Sequence, residues 1–365
     1  MATTEQQGPV GFAMVGCGVI AGQHAKAAAG CEDAELVGVT DLDQERASAF
    51  AAEHGIGRVY GGAEEMLADD GVDVVVLAMP VKGRARLAHR AIAAGKHVLV
   101  EKPAGMDAAE VQGLIDAAEE AGVLVGSCSC RHTGLGSAVA ARAVIDSGRL
   151  GDLRVVRGRA VMPVMGEPPA APPVWRVRRD LNAGGIMSNW GVYDLDFLLG
   201  IVGWRLEPEL ALARVWPVAE PFGDRVHPDS DAETHVAALV VCKGGAVLTL
   251  ERGEFLPVAK DTAWEIVGEK GSVRMSLLPA EKNQVVVIEA AGEGAAADEP
   301  LREEVVWEGT DEWGAAHATP IRDFSAAVLE GREPMSALRR AKVITAITDA
   351  IYASSESGGA ERVMV

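Results

Sequence analysis

Cysteine is scarce in this chain: Cys17, Cys31, Cys128, Cys130 and Cys242 are five among 365 residues, an odd number. That excludes a disulfide-held scaffold and suits a reducing compartment. Only Cys128 and Cys130 are close in sequence. A zinc site would need two more ligands at matching spacing, and the neighbourhood supplies none. The pair reads as small buried thiols in an apolar strand, and no metal is expected. Positive charge is also short, with 34 Lys and Arg against 53 Asp and Glu, a formal net charge of −19. This argues against nucleic acid or an anionic membrane as partner, because both need a basic face that displaces counterions. Long apolar runs are missing too. The longest uncharged span, Gln6–Ala25, is broken by Pro9 and by Gly8, Gly11, Gly16, Gly18 and Gly22. It reads as a strand and a glycine-rich turn and not as a membrane span. Met1–Gln7 lacks the basic segment of a signal peptide. No membrane association is expected, and the location is expected to be cytoplasmic. Aromatics are sparse and no internal repeat is present.

What is present is globular. Hydrophobic residues make up 48% of the chain and glycine is abundant at 42. The length suits about two domains and a core that needs neither disulfide nor metal.

The apolar run Val10–Val15 meets Gly16-Cys17-Gly18-Val19-Ile20-Ala21, a G-x-G-x-x-A directly after a strand. A helical pattern follows over Ala21–Ala29, then a strand over Glu35–Thr40 that ends at Asp41 and Leu42. Each part has a physical use. Gly16 permits the tight turn, Gly18 lets backbone approach a pyrophosphate, and Ala21 keeps the helix close to the sheet. The helix N-terminus offers N–H groups and partial positive charge to phosphate. Asp41, 23 residues after Gly18, can accept both ribose hydroxyls. The pattern points to a dinucleotide; a glycine-rich turn without ligand is the alternative. A carboxylate at Asp41 repels a 2′-phosphate, and no Arg or Lys follows before Arg46. NAD is therefore expected in preference to NADP.

The alternation continues. Asp73–Met79 is a continuous apolar strand, as a buried parallel sheet requires, and Ala78 and Pro80 lie at its end. Arg84–Ala94 reads as a helix, His97–Val100 as a strand ending in Glu101-Lys102-Pro103, Ala108–Ala121 as a helix and Gly122–Gly126 as a strand. Ligands bind at the carboxyl ends of such strands.

Gly95-Lys-His-Val-Leu-Val-Glu-Lys-Pro103 resembles the signature of the Gfo/Idh/MocA oxidoreductases, the glucose–fructose oxidoreductase and inositol dehydrogenase family. Gly16–Ala21 with His24, Trp175-Arg176, Ala183-Gly-Gly185 and Ala350-Ile-Tyr-Ala-Ser-Ser355 extend the resemblance over nearly the whole chain. It implies an α/β protein: an N-terminal Rossmann domain over 1–126 and a C-terminal α+β domain over 127–365 with a large, mainly antiparallel open sheet. The C-terminal helix is placed where it can pack back on the first domain. Leu153–Val161, Val236–Cys242, Ala246–Arg252, Ala263–Val267, Val273–Leu277 and Gln284–Glu289 read as strands of that sheet. Pro163–Pro173 reads as a loop, Gly292–Glu299 as a polar excursion and Ser336–Ser355 as the terminal helix. The family resemblance also implies a homodimer or homotetramer and a small-molecule polyol or sugar substrate.

In the family, the lysine matching Lys102 lies beside the nicotinamide and the reacting hydroxyl, where an ammonium stabilises alkoxide character. Family members often carry Asp-x-Gly-x-His-x-x-Asp as the second catalytic element. This chain has Asn189-Trp-Gly191-Val-Tyr193-Asp-Leu-Asp196 instead. Asn189 cannot titrate and can only orient. Tyr193 has a reference pKa near 10, which a nearby ammonium would lower, so Lys102 and Tyr193 make a workable acid/base unit. A purely substrate-binding Tyr193 and a chain without redox activity are the alternatives. Glu101, Trp175 and Arg176 match cofactor-cleft positions, while Arg131, Asp180, Asn189, Tyr193 and His235 are candidate substrate contacts. His235 also reads as a satisfied buried histidine. Arg84, where many members have His, reads as an exposed helix residue, with an altered active-site contact as the alternative.

Arg149–Arg179 holds seven basic residues and two acidic ones. Either an anionic substrate uses Arg176, Arg178 and Arg179, or these residues face solvent or a partner subunit. The expected activity is NAD-dependent interconversion of a ring hydroxyl and a ketone in a sugar, glycoside, sugar derivative or cyclitol. A redox-assisted lyase or glycosidase that keeps its NAD, and a dinucleotide-binding sensor, are the rival readings.

Overall fold

A computed structural model describes residues 8–163, 178–276, 283–291 and 300–365. The chain forms two compact units. The first comprises Met1–Arg131 and His317–Lys342, and the second His132–Ala316 and Val343–Val365. The division falls after Arg131, not at residue 126, and the first unit takes a later segment as well. Within that unit Ser127 N–H donates to the Ser336 carbonyl at 2.8 Å, and Gly126 bridges Ala337.

The first unit alternates β1 (Val10–Val15), α1 (Val19–Ala29), β2 (Ala34–Thr40), α2 (Gln44–His54), α3 (Ala63–Leu67), β3 (Val74–Leu77), α4 (Arg84–Ala93), β4 (His97–Val100), α5 (Ala108–Ala121) and β5 (Val125–Ser127). Its five strands are parallel in the order β2-β1-β3-β4-β5. Strand alternation sends Phe12, Met14, Val74, Val76 and Leu99 into one core and Ala13, Val75, Leu77, Val98 and Val100 into another. Both faces are therefore covered, which is why these strands read as unbroken apolar runs. Gly122, expected in the fifth strand, is instead the left-handed C-cap of α5 at φ 68°.

The second unit contains α6 (Gly136–Asp146), β6 (Leu153–Val161), α7 (Arg179–Asn182), α8 (Val192–Ile201), β7 (Pro208–Trp216), β8 (His235–Cys242), β9 (Val247–Gly253), β10 (Asp261–Gly268), β11 (Gly271–Met275), β12 (Asn283–Ala290) and β13 (Leu301–Gly309). Then come α9 (Trp313–Glu330), α10 (Leu338–Ser357) and β14 (Glu361–Arg362). Residues 317–342, parts of α9 and α10, belong to the first unit. Among the described residues, the sheet has nine strands in the order β13-β12-β11-β10-β6-β9-β8-β7-β14. All its pairs are antiparallel except β6 with β9. Every residue of α8 is buried, and the helix packs on β6. Gly158 makes this close approach possible, because a Cβ there would lie 2.8 Å from Leu198 Cδ1.

Candidate active site

β1 delivers the chain into a turn that only glycine can make at its first position. Gly16 has φ +96°, and a Cβ would sit 2.5 Å from the Ala78 carbonyl oxygen. At Gly18 a Cβ would meet nothing within 4 Å, so the space in front of that backbone is open. No side chain caps the start of α1, which leaves the first-turn N–H groups of a helix that begins at Val19 for a ligand. Asp41 ends β2 and is held in place: its Oδ2 accepts the Cys17 N–H at 2.8 Å and its Oδ1 the Asp43 N–H at 2.9 Å. Arg46 stands 3.8 Å from Asp41 but is hydrogen-bonded to Asp43. Val19 and Leu42, both apolar, are fully exposed, while Ala21 is buried. The Cys17 thiol is pushed up to about 11 by burial and by the Asp41 charge, so it stays neutral. The structure thus brings Gly16, Cys17, Gly18, Val19, Ile20, Ala21, Asp41 and Leu42 around one turn, with Ala78 against it and Pro80 just beyond.

β4 ends in Glu101-Lys102-Pro103. Glu101 is buried, and its Oε1 pairs with His24 Nε2 and Arg131 Nη2, each at 2.8 Å. Its Oε2 accepts the Lys102 N–H at 3.0 Å. Burial alone would raise this carboxyl, but Arg131, His24 and Lys102 together hold it well below the carboxylate range. Arg131, expected against substrate, is a buried partner of Glu101. Lys102 is half-buried.

Two expectations are corrected in this unit. Arg84 is not an exposed helix residue. It is buried at the start of α4 and donates to the carbonyls of Met79, Glu101 and Pro103. Cys128 and Cys130 lie in a 3-10 turn, Cys128–His132, and not in a strand. Cys128 joins His24 and Glu101, with ligand atoms within 4.8 Å of one another. Burial and the Glu101 charge push that thiol well up, so it is a poor source of thiolate. Glu101 already answers Arg131 and His24; the cluster is an ion-pair network.

In the second unit, Gly184 and Gly185 lead into a π-helical turn, Met187–Gly191, which continues as α8. Such turns mark places where a helix is bent to present a side chain. Glu233, buried, accepts N–H groups of Gly185 at 2.9 and 3.0 Å and of Met187 at 3.0 Å, and the Tyr352 hydroxyl at 2.8 Å. Its own carbonyl accepts the Ile186 N–H at 2.8 Å. Asn189 is half-buried, and its Oδ1 lies 3.5 Å from Asn182 Nδ2. Tyr193 is 5% exposed and stands edge-on to His132 and Trp190, at 5.2 and 6.1 Å between ring centres. Arg252 lies over Trp190 at 4.8 Å and pairs with buried Asp194 at 3.5 Å. Glu233, Arg252 and His132 are participants that pattern reading missed. Only position in the fold reveals them.

His235 is not brought to Tyr193. Val236 and Arg252 are register partners on the face that meets α8, so His235, one residue before Val236, points to the opposite face. There it stacks on Trp216 at 4.8 Å and meets Glu251 at 3.2 Å. Asp180 lies in α7, paired with Arg178 at 3.1 Å. Trp175 and Arg176, with the Pro163–Pro173 and Gly292–Glu299 segments apart from Pro163 itself, lie outside the described residues. Among the described residues, the arginines of that stretch are paired locally. Arg149 meets Glu289 and Glu304, Arg157 meets Glu265, Arg159 meets Glu251 and Asp261, and Arg179 meets Glu356.

The parallel sheet, its glycine turn and the charged strand end define a dinucleotide-binding oxidoreductase. The family described as "Oxidoreductase family, NAD-binding Rossmann fold" matches residues 10–128, and its "GFO/IDH/MocA C-terminal domain" matches residues 138–274. The chain belongs to the GFO/IDH/MocA oxidoreductase family, and its first unit carries that family's NAD-binding Rossmann fold. It is 29% identical to inositol 2-dehydrogenase of Rhizobium meliloti (strain 1021) over 326 residues, 89% of this chain and 90% of that one. It is 32% identical to 1,5-anhydro-D-fructose reductase of Ensifer adhaerens over 190 residues, 51% of this chain and 55% of that one. The fold resembles a solved levoglucosan dehydrogenase complexed with NADH and levoglucosan, with a TM-score of 0.82 at 20% identity, covering 98% of this chain and 100% of that one. No helix among the described residues is long and apolar enough to cross a membrane.

Proposed function

We propose that this oxidoreductase interconverts a ring hydroxyl and a ketone of a sugar, glycoside, sugar derivative or cyclitol, with NAD preferred over NADP. The observation that carries the reading is Lys102: a half-buried ammonium just past β4, an interior strand, with the backbone on both sides of it held. The glycine turn fits a dinucleotide, because open space in front of Gly18, uncapped first-turn N–H groups and an oriented Asp41 coincide there. Bound at that turn, the nicotinamide cofactor supplies the hydride acceptor or donor. Gly16–Ala21 would hold its phosphates, and Asp41 its adenosine ribose hydroxyls. Val19 and Leu42 offer apolar contact to its base.

Lys102 stabilises negative charge on the reacting oxygen. In the direction of oxidation, Tyr193 as the phenolate takes the hydroxyl proton while the carbon gives its hydride to the cofactor; in reduction the phenol returns that proton as hydride is delivered to the carbonyl carbon. Asn189 orients the substrate by hydrogen bonding. Arg131 acts on Glu101 and not on substrate. Relatives named for inositol and for anhydrofructose support a cyclic polyol as the substrate class. A cytoplasmic location is supported by five free thiols, and a homodimer or homotetramer is the proposed assembly.

The test is a panel of cyclitols and pyranoses incubated with NAD. The reading expects NADH to accumulate in step with ketone. Substrate cleavage without NADH release would replace it with the cofactor-retaining lyase or glycosidase. Tight NAD binding with no turnover on the panel would replace it with a sensor.

A further inference from the structure

Arg84 is a buried cation with unusual partners. It lies at the first position of α4, after Gly83 at φ +84°, where the helix dipole opposes a positive charge. No carboxylate pairs with it among the described contacts. Its Nη1 donates to the carbonyls of Glu101 and Pro103, the latter at 2.6 Å, and its Nε and Nη2 both donate to the Met79 carbonyl, the former at 3.1 Å. Burial brings its pKa down to about 10, so it remains charged at neutral pH.

The placement of those acceptors matters more than their number. Glu101 and Pro103 are the residues on either side of Lys102. Met79 lies two residues beyond the end of β3, the neighbouring strand, and precedes Pro80. A single guanidinium therefore joins the segments that follow β3 and β4 and holds the backbone on both sides of the lysine. The Glu101 side chain is fixed separately, by His24 and Arg131, and takes the Lys102 N–H. Only a planar fork with several fixed donors can satisfy carbonyls on two strands at once. An imidazole has two nitrogens and no such reach.

We propose that Arg84 is a positioning residue that sets where the Lys102 ammonium points, by clamping the carbonyls of Glu101, Pro103 and Met79. This rests on the reading of Lys102 as the group that stabilises the reacting oxygen, and it adds a determinant outside the nucleotide turn and the Lys102–Tyr193 pair. Arg84 does not itself touch substrate.

The experiment compares the full-length protein with Arg84→Gln and Arg84→Met. All nine lysines are trace-labelled with acetic anhydride well below the melting temperature, and each is quantified by peptide mass spectrometry. The clamp expects the labelling of Lys102 relative to the other lysines to change several-fold in both variants. It also expects kcat to fall by about 10- to 100-fold with KM little altered, as a displaced catalytic group does. A merely structural arginine would lower the melting temperature and leave Lys102 labelling at the parent ratio; that result overturns the proposal. If Arg84→Met does not fold, Arg84→Gln, which keeps an amide donor, decides. Lys102→Met is run beside them. If it keeps full turnover, the catalytic reading of Lys102 fails, while the labelling ratio still decides the clamp. If it loses turnover and Arg84→Gln labels like the parent, the clamp fails and the catalytic reading stands.

Discussion

Tyr352 donates its hydroxyl to the Glu233 carboxylate at 2.8 Å, joining α10 to the residue that precedes β8 by two. The same carboxylate holds the N–H groups of Gly185 and Met187, so one buried charge organises the backbone that leads to Asn189 and Tyr193. Burial and then the Glu233 charge push the Tyr352 hydroxyl well above its usual range, and it stays a donor at neutral pH. Tyr352→Phe removes one hydrogen bond to a charged acceptor and keeps the ring. It is expected to cost about 1–3 kcal/mol, read by urea unfolding.

Gly185→Ala is expected to be worse for turnover than for cofactor binding. Its Cβ would lie 2.1 Å from the Glu233 carbonyl oxygen and 2.8 Å from the Glu233 nitrogen. Neither backbone atom can yield cheaply, and overpacking of this kind costs about 1–3 kcal/mol. NAD affinity, measured by titration, should match the parent, because the nucleotide turn belongs to the other unit, while kcat falls.

Tyr193→Phe tests the proton step directly. The ring is buried against His132 and Trp190, so the variant should fold. Loss of a general acid/base is expected to lower kcat by about 10²- to 10⁴-fold, with NAD affinity unchanged. Near-parental turnover on the active polyol would remove the proton-carrying role from Tyr193.

Asp41→Ser addresses cofactor choice. The carboxylate is preset by Cys17 and Asp43 N–H groups, and Arg46 stands nearby at 3.8 Å. Removing the carboxylate is expected to weaken NAD and improve NADP, narrowing the preference in a paired titration of both cofactors. An unchanged ratio would show that Asp41 does not discriminate.

Glu101 predicts an acid limit. Its carboxyl is held below its ordinary value in the fold despite burial, so folding favours the ionised form. A depressed folded pKa adds stability that is fully present above the unfolded value, about 4.3, and is lost as pH falls below it. The melting temperature should therefore drop between about pH 5 and pH 3. Glu101→Gln should be less stable at neutral pH, because buried Arg131 loses the Glu101 carboxylate, and should show a smaller drop across that window.

Much of the first unit was legible because its rules are local. Val10–Val15, His97–Val100 and Ala108–Ala121 were read with their observed bounds, since apolar runs and helical spacing are written in adjacent residues. Other elements escaped. Leu301–Gly309 is dense in charge and largely exposed, so β13 lacks the alternation that signals a strand. Pro320 sits inside α9 and reads as a breaker. Arg84 read as a surface residue because charge on a helix usually is, and its carbonyl partners up to 19 residues away are invisible to a helical pattern.

Residue type alone decided the nucleotide turn, the acid at the end of β2 and the lysine at the end of β4. Those features depend on backbone conformation and charge within one strand–turn–helix unit, and Gly16 at φ +96° is the clearest case. The tertiary structure alone decided which charges meet. Glu233 and Tyr352 pair across 119 residues, His235 turns to the face away from Tyr193, and Arg149, Arg157 and Arg159 find carboxylates on strands of the sheet. The physical reason is range: a dihedral preference acts within a few residues, whereas a buried charge is settled only by the groups that packing brings beside it.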